Sequence, residues 1–384
     1  MKFEFMTASR IIVERGGLKQ VGKLAKSFGQ RVLLVGRLAS DDTKKAIEIL
    51  NNEGCIVTSV NVKGEPSVDS INEILELSRK NQCEVVVAIG GGSVLDSGKT
   101  IAALMTNTND IMDYLEVIGN GVPVSKKSLP FIAVPTTSGT GAEATKNATI
   151  LSAPHKVKVS IRSPYMLPDV VLLDPQLTVS VPKDVTASTG LDALTQVLEP
   201  YVSKMANPIT DAFAKEGLVR AARSLKKAYD QGDDIDARED MAIASLFGGI
   251  SLANAKLGAV HGFAGVLGGM FPIPHGVVCA RLLPFVTRKN IEVLNARDPQ
   301  NPAVKRYEDV AQLLTGNPNA KAMDGVAWLE ALCKHLDVAP LSHFGVKEEF
   351  FEEIINKSMN ASSMKGNPID LTFDELKDIL LQAL

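Results

Sequence analysis

Two glycine- and hydroxyl-rich loops and one scattered polar set carry the chemistry legible in this chain. Gly90-Gly91-Gly92-Ser93-Val94-Leu95-Asp96 follows a short Val/Ile run and opens a segment of helical periodicity. Glycines in that position let a backbone approach a pyrophosphate, and a helix start offers free N–H groups and the positive end of its dipole. The spacing is not G-x-G-x-x-G, so the ordinary dinucleotide fingerprint does not apply; a tight strand–helix turn is the other use of such glycines. Pro135-Thr136-Thr137-Ser138-Gly139-Thr140-Gly141-Ala142-Glu143 also follows an apolar run. Hydroxyls and glycines at the carboxyl end of a strand suit a nucleotide, or else a Ser/Thr turn.

Farther along, Asp192 and Gln196 stand four apart in Gly190-Leu191-Asp192-Ala193-Leu194-Thr195-Gln196, so they share a helix face. Among such apolar neighbours a carboxylate needs a cation, a metal or hydrogen-bond donors, unless it caps a helix or reaches water. His261 lies in an apolar helical stretch, and His275 follows the break Pro272-Ile273-Pro274. A lone histidine on such a stretch is most often a satisfied core residue. Two of them flanking a break, with an isolated Asp upstream, make a donor set suited to Zn²⁺ or Fe²⁺. Of the other three, His335 and His343 sit near charged segments and read as surface residues, and His155 has no evident role.

These side chains need a frame. Arg31–Val35, Ile56–Val62, Val85–Ile89, Phe131–Val134 and Val170–Leu173 are nearly continuous apolar runs, separated by helix-period segments such as 40–51 and 67–81. That pattern predicts a parallel sheet covered on both faces. From about Pro182 the long Val/Ile runs stop and helical segments follow at 184–203, 209–229, 237–267, 303–314, 322–336, 347–360 and 373–384, with Asn-Pro and Pro-x-Pro breakers between them. The expected organisation is an α/β dinucleotide-binding domain over residues 1–182 and an all-helical metal and substrate domain over 183–384.

Composition excludes several alternatives. The chain of 384 residues holds 41 Lys plus Arg and 44 Asp plus Glu, a net charge of −3, so there is no basic surplus for nucleic acid. Hydrophobic residues at 45% and charged ones at 22% are ordinary for a soluble globular protein. Cys55, Cys83, Cys279 and Cys333 are far apart in sequence, form no Cys-x-x-Cys pair and point to a reducing compartment without disulfides. The start Met-Lys-Phe-Glu-Phe carries no apolar signal segment. The most apolar stretch, Leu257–Val278, holds six glycines, two prolines and two histidines, which argues for an internal element rather than a membrane span. The expectation is a cytoplasmic enzyme with neither nucleic acid nor membrane as partner.

Taken together, the motifs resemble those of the iron-containing (group III) alcohol dehydrogenase family over nearly the whole chain. The matching pieces are Gly90-Gly91-Gly92-Ser93-x-x-Asp96 with Lys99, Pro135-Thr136-Thr137-x-Gly139-Thr140-Gly141-x-Glu143, and Lys158 before Ser163-Pro164. They continue with Leu167-Pro168-Asp169 to Asp174-Pro175, Gly190-x-Asp192-Ala193-Leu194, Ala206-Asn207-Pro208-x-Thr210-Asp211 and Pro274-His275-Gly276. The resemblance implies a dehydroquinate synthase-like fold, an α/β dinucleotide-binding domain followed by an all-α domain. It implies an NAD(P)-dependent alcohol dehydrogenase or aldehyde reductase acting on a small alcohol or aldehyde. A divalent metal, Fe²⁺ or Zn²⁺, would act as Lewis acid while hydride passes to or from nicotinamide. Carried over by position, the metal ligands are Asp192, His261 and His275, with Gln196 as a fourth, and the first three are also the catalytic residues. The cofactor-binding set is Gly36, Arg37, Gly90, Gly91, Gly92, Ser93, Asp96, Thr136, Thr137, Thr140 and Lys158. Relatives are often dimers or larger, and Arg10–Val13 is a segment able to pair at a sheet edge.

The chain departs from the family pattern where histidine is usual: Gln196 stands four residues after Asp192, and Gly265 four after His261. Gln offers a neutral amide oxygen, a poorer partner for Fe²⁺ or Zn²⁺ than imidazole. Glycerol dehydrogenases hold Zn²⁺ with one Asp and two His, whereas maleylacetate reductases resemble the family and work without metal. A metal-independent reductase and a cofactor-binding protein without turnover therefore stand as alternatives. A lyase resembling dehydroquinate synthase is disfavoured by Asp192 and by the glycine-rich segment 257–269. After the first strand many NAD-preferring relatives carry an acidic residue that would repel a 2′-phosphate; this chain has Gly36-Arg37, and Arg37 could pair with that phosphate, favouring NADP(H) over NAD(H).

Overall fold

The structure is a computed structural model that describes residues 2–155 and 157–384. It divides into two compact units. The first comprises Met6–Thr137 and Gly141–Val179; the second is Ser180–Leu384 together with the N-terminal residues up to Phe5 and the short segment Ser138–Thr140.

The α/β unit holds strands β1 (Arg10–Val13), β2 (Arg31–Gly36), β3 (Ile56–Asn61), β4 (Val85–Gly90), β5 (Phe131–Pro135), β6 (Asn147–Ser152), β7 (Val157–Arg162) and β8 (Val170–Leu173). Its helices are α1 (Val21–Lys26), α2 (Asp41–Asn52), α3 (Val68–Lys80), α4 (Gly92–Thr106) and the single turn α5 (Ile111–Tyr114). Six strands form one parallel sheet in the order β1-β8-β5-β4-β2-β3, and β6 and β7 form a separate antiparallel hairpin. The apolar runs alternate between two cores: Leu33, Val35, Val86 and Ala88 pack on one face, and Val32, Leu34, Val85, Val87 and Ile89 on the other. A sheet buried on both sides explains why these strands read as unbroken Val/Ile/Leu runs. β1 is the edge strand and pairs within the chain with β8.

The strand order locates a ligand crevice without reference to any motif. From β2 the chain steps to β3 on one side, then crosses back to β4 on the other side of β2. At such a reversal the carboxyl ends of the two central strands open a crevice. Gly36 closes β2 and Gly90 closes β4, so the turns beginning there flank it. Close packing of α4 on the sheet demands small residues: a Cβ on Gly98 would fall 2.6 Å from the Ala88 side chain.

The helical unit contains α6 (Lys183–Val202), α7 (Pro208–Asp230), α8 (Ile235–Ala255), α9 (Ala259–Met270), α10 (His275–Arg297), α11 (Pro302–Thr315), α12 (Ala322–His335), α13 (Phe351–Met359) and α14 (Phe373–Ala383). Helix α6 is the hub: from Gly190 to Val202 every residue is buried. A helix apolar all round belongs in a core, and Leu191, Leu194, Val197, Leu198 and Tyr201 sit there. Two expectations need correction. The continuous helix over 237–267 is broken: α8 ends at Ala255, Lys256 turns at φ 58°, and α9 leaves at 100° to α8. The left-handed residue and Gly258 end one helix and start another, where the apolar periodicity ran through unbroken. Helix α10, absent from the sequence reading, is formed over 23 residues despite Pro284 within it. Among the described residues no single helix is long and apolar enough to cross a membrane.

A buried cation ties the glycine turn's helix to the threonine loop. Lys99 on α4 is 0% exposed, and its ammonium donates to Ala142 O (2.7 Å), Thr145 Oγ1 (2.8 Å) and Asn147 O (2.7 Å). Asp96 Oδ1 lies 3.7 Å from it, and Asp96 Oδ2 accepts from the Thr149 N–H at 2.9 Å. Glu143 is buried beside the pair; desolvation lifts its carboxyl to about 7 against the pull of a backbone hydrogen bond and of Lys99. Lys99→Met removes the donor and leaves three acceptors and a carboxylate uncompensated, so it should destabilise the fold by about 3–5 kcal/mol. Urea denaturation of the variant checks this: a midpoint matching the parent protein would show that the ammonium is not a structural tie.

Candidate metal centre and nucleotide loops

Helix α6 lines up three buried polar side chains at i, i+4 and i+7: Asp192, Gln196 and Glu199. That spacing puts them on one face. In a core so apolar each must find a partner. Glu199 finds two on α9: its Oε1 accepts from the Val260 N–H (2.8 Å) and its Oε2 from His261 Nδ1 (2.7 Å). One carboxylate therefore satisfies a helix N-terminus and orients a ring. Asn367 Oδ1 takes the neighbouring Ala259 N–H at 3.1 Å, and a Cβ at the N-cap Gly258 would fall 2.8 Å from Glu199 Oε1. The α9 start admits only glycine because these acceptors press against it.

With Nδ1 donating to Glu199, His261 turns Nε2 towards Asp192 Oδ1, 3.2 Å away. In a neutral ring that nitrogen is an acceptor facing an acceptor, so the pair requires a cation between or upon them. His275, the first residue of α10, brings its Nε2 to 3.9 Å from the same oxygen. Cys279, one turn on, places Sγ 3.7 Å from each of the two imidazole Nε2 atoms. The four donor atoms all lie within 4.8 Å of one another. Asp192, His261 and Cys279 are buried, whereas the His275 side chain keeps 39% of its surface accessible. With protons as the available cations, burial opposes charge on His261, but Cys279, Asp192 and Glu199 outweigh it and raise the ring well above its ordinary value. Burial likewise disfavours ionised Asp192, yet the His261 hydrogen bond and both rings hold it at about 2. A divalent ion held by neutral imidazoles would supply the same compensation.

Gln196 makes the centre asymmetric. Its Nε2 donates to Gly139 O at 3.2 Å, which fixes the amide's orientation, and among the described residues its buried Oε1 has no hydrogen-bond partner. Gly139 belongs to the threonine loop, and a Cβ there would fall 2.6 Å from the Thr189 side chain on α6. Gly265 on α9 is exposed, and a Cβ there would meet nothing within 4 Å, so the position is open.

The glycine turn and the start of the threonine loop lie together within the α/β unit. Helix α4 starts at Gly92 with Gly91 as N-cap and no side-chain cap, leaving the first-turn N–H groups near Gly92 and Ser93 free of a protein cap. Thr136 N donates to Gly90 O (3.0 Å), and a Cβ on Gly91 would come within 3.2 Å of Thr137 Oγ1, so the two loops lie side by side. Gly141 turns the second loop at φ 59°. Arg37 is exposed after β2, where Asn61 Oδ1 receives the Leu38 N–H at 3.0 Å. Asp96 and Lys158 are engaged elsewhere, Asp96 with Thr149 and Lys158 with Glu65 at 3.0 Å. Sequence reasoning missed Glu199 and Cys279. Glu199 lies one turn beyond Gln196 on the same face, and Cys279 lies four after His275, the same spacing that drew attention to Asp192 and Gln196.

Glu199→Gln should weaken metal binding by about 10–100-fold while leaving helical content unchanged, because the amide cannot orient and polarise His261 as the carboxylate does. Competition against a chromophoric chelator measures it, and an unaltered affinity would remove Glu199 from the centre.

Comparison with known proteins agrees along the whole chain. Residues 8–175 match the family described as iron-containing alcohol dehydrogenase, and residues 186–384 match its C-terminal counterpart, the Fe-containing alcohol dehydrogenase family, C-terminal. The 1,3-propanediol dehydrogenase of Citrobacter freundii is 34% identical over 401 aligned residues, covering 99% of this chain and 98% of that protein. Alcohol dehydrogenase 4 of Schizosaccharomyces pombe is 39% identical across 84% of this chain and 74% of its own length. Among solved structures, a 1,3-propanediol oxidoreductase superposes with a TM-score of 0.93 at 32% identity, with both chains fully covered. On sequence, fold and relatives together, the chain belongs to the iron-containing alcohol dehydrogenase family, whose chemistry interconverts alcohols and aldehydes.

Proposed function

We propose that the chain is a metal-assisted, NADP(H)-preferring dehydrogenase of small alcohols, working chiefly as an aldehyde reductase where NADPH is abundant. The observation that carries the reading is the Glu199–His261–Asp192 chain, which brings His261 Nε2 to 3.2 Å from Asp192 Oδ1 in a buried place where the donor atoms of His275 and Cys279 also lie within 4.8 Å. A divalent cation held by Asp192, His261 and His275 would supply Lewis acidity at the substrate oxygen, and the nicotinamide would give or take the hydride. The chain's own residues do the rest. Glu199 holds the proton on His261 Nδ1 and so keeps Nε2 free as a donor atom. The partly accessible His275 leaves one side of the centre open to a small molecule. The α4 N-terminus and the hydroxyls of Thr136 and Thr137 suit a pyrophosphate and its ribose. Arg37, exposed beside the crevice at β2, supplies a guanidinium for a 2′-phosphate.

Gly265 extends the proposal to substrate size. Where family members usually carry histidine, this chain has an open position, which supports aldehydes bulkier than the shortest ones. The four cysteines are free, in keeping with a cytoplasmic location, and the unpaired side of β1 suits pairing with a second copy of the chain.

Two measurements test the reading. Asp192→Ala should lose bound metal and NADPH-dependent aldehyde reduction together; metal retained at one equivalent would exclude Asp192 as a required ligand, and turnover by metal-free protein would favour a metal-independent reductase. Arg37→Asp should reverse the preference from NADP towards NAD, seen as a fall in the ratio of kcat/KM for the two cofactors, and an unchanged ratio would refute the Arg37 assignment.

A further inference from the structure

We propose that Cys279 is a fourth protein ligand of the metal, a thiolate that makes up for Gln196 and biases the centre towards Zn²⁺. The proposal rests on the metal reading above and goes beyond it in naming the ligand. Three features support it: the distances, the environment of the thiol, and the weakness of the alternative donor.

The distances have the size of a coordination polyhedron. For a tetrahedral zinc with Zn–N and Zn–O near 2.0–2.1 Å and Zn–S near 2.3 Å, neighbouring donor atoms are separated by about 3.3 Å for N and O and about 3.5 Å for S and N. The structure has 3.2 and 3.9 Å between Asp192 Oδ1 and the two imidazole nitrogens, and 3.7 Å from Cys279 Sγ to each of those nitrogens. Small adjustments bring all four onto one ion. Helix α10 supplies His275 and Cys279 from successive turns of one face, so their separation is set by a rigid element.

The thiol is 0% exposed, and its polar contacts are the two imidazole Nε2 atoms. Although the residue belongs to the helical unit's apolar core, its sulfur is turned towards a set of metal donors. Gln196 is the competing candidate. Its amide donates to Gly139 O and also hydrogen-bonds Asp192, and among the described residues the neutral oxygen left over has no hydrogen-bond partner. A thiolate adds a second anionic donor atom beside the Asp192 carboxylate, whereas the neutral amide adds none. On metal uptake the Cys279 proton passes to solvent and the sulfur's electron pair forms the bond. Thiolate is a soft donor, which favours Zn²⁺ over Fe²⁺.

The test uses the full-length protein, stripped with a chelator and reloaded with one equivalent of Co²⁺ under anaerobic conditions. The expected result is a near-ultraviolet thiolate-to-cobalt charge-transfer band in the parent protein and in Gln196→Ala, and its loss in Cys279→Ala and in the isosteric Cys279→Ser. Affinity for Zn²⁺ should fall at least about 10-fold in Cys279→Ala, the lower end of what even an indirect partner contributes, and more than affinity for Fe²⁺. Stoichiometric cobalt without the charge-transfer band, or a band that persists in both Cys279 variants, overturns the thiolate assignment and leaves the Asp192–His261–His275 centre standing. Failure of the parent protein to hold Co²⁺ or Zn²⁺ at all overturns the metal reading and this proposal with it. Circular dichroism of Cys279→Ser verifies that the variant is folded.

Discussion

A single carboxylate, Glu199, governs the geometry on which the helical half depends. It terminates helix α9 by accepting the Val260 N–H, and with its second oxygen it fixes the ring of His261. Both tasks are performed in a core where an unpaired charge would cost several kcal/mol. The result is an imidazole whose free nitrogen points at another acceptor. That arrangement is unfavourable by itself and becomes favourable only with a cation. The fold thus gathers a carboxylate and two imidazoles around a place suited to positive charge.

The α/β half solves a related problem with the opposite sign. Its ligand crevice arises from strand order, since β2 and β4 are the neighbours at which the winding reverses. The uncapped start of α4 then offers N–H groups to a negative ligand. Lys99 does for this half what Glu199 does for the other: a fully buried charge satisfied by backbone oxygens, holding a loop against a helix. In each half, the residues that would touch a ligand are held in place by a buried ion that does not.

Much of this was legible in the chain. The strand runs were read correctly because burial on both faces leaves a continuous apolar signature, and the glycine turn and threonine loop stand out because both follow such runs. Asp192, His261 and His275 were recognisable as a set, and the structure gathers them. What escaped the reading did so for physical reasons. Helix α10 was hidden by Pro284 in its interior and by Pro272 and Pro274 before it, and with α10 went the one-turn spacing of His275 and Cys279. Cys279 has no cysteine near it in sequence, and its partners in the fold are histidines. The joint between α8 and α9 was invisible because Lys256 adopts a left-handed conformation that its residue type does not announce. Glu199 was overlooked because a buried carboxylate's partner, here a helix start some 60 residues on, cannot be read from local sequence.

The placement of Ser138–Thr140 has an evolutionary consequence. These three residues are encoded in the middle of the α/β half but pack as part of the helical unit, where Gly139 meets Gln196 and Thr189. No contiguous stretch of the gene therefore specifies a self-contained helical unit: a fragment beginning at Ser180 would expose the Gln196 amide and the groove against Thr189. Recombination between relatives at the apparent boundary would splice a loop from one ancestor onto a helix from another. A change at position 196 would meet a carbonyl encoded more than fifty residues upstream.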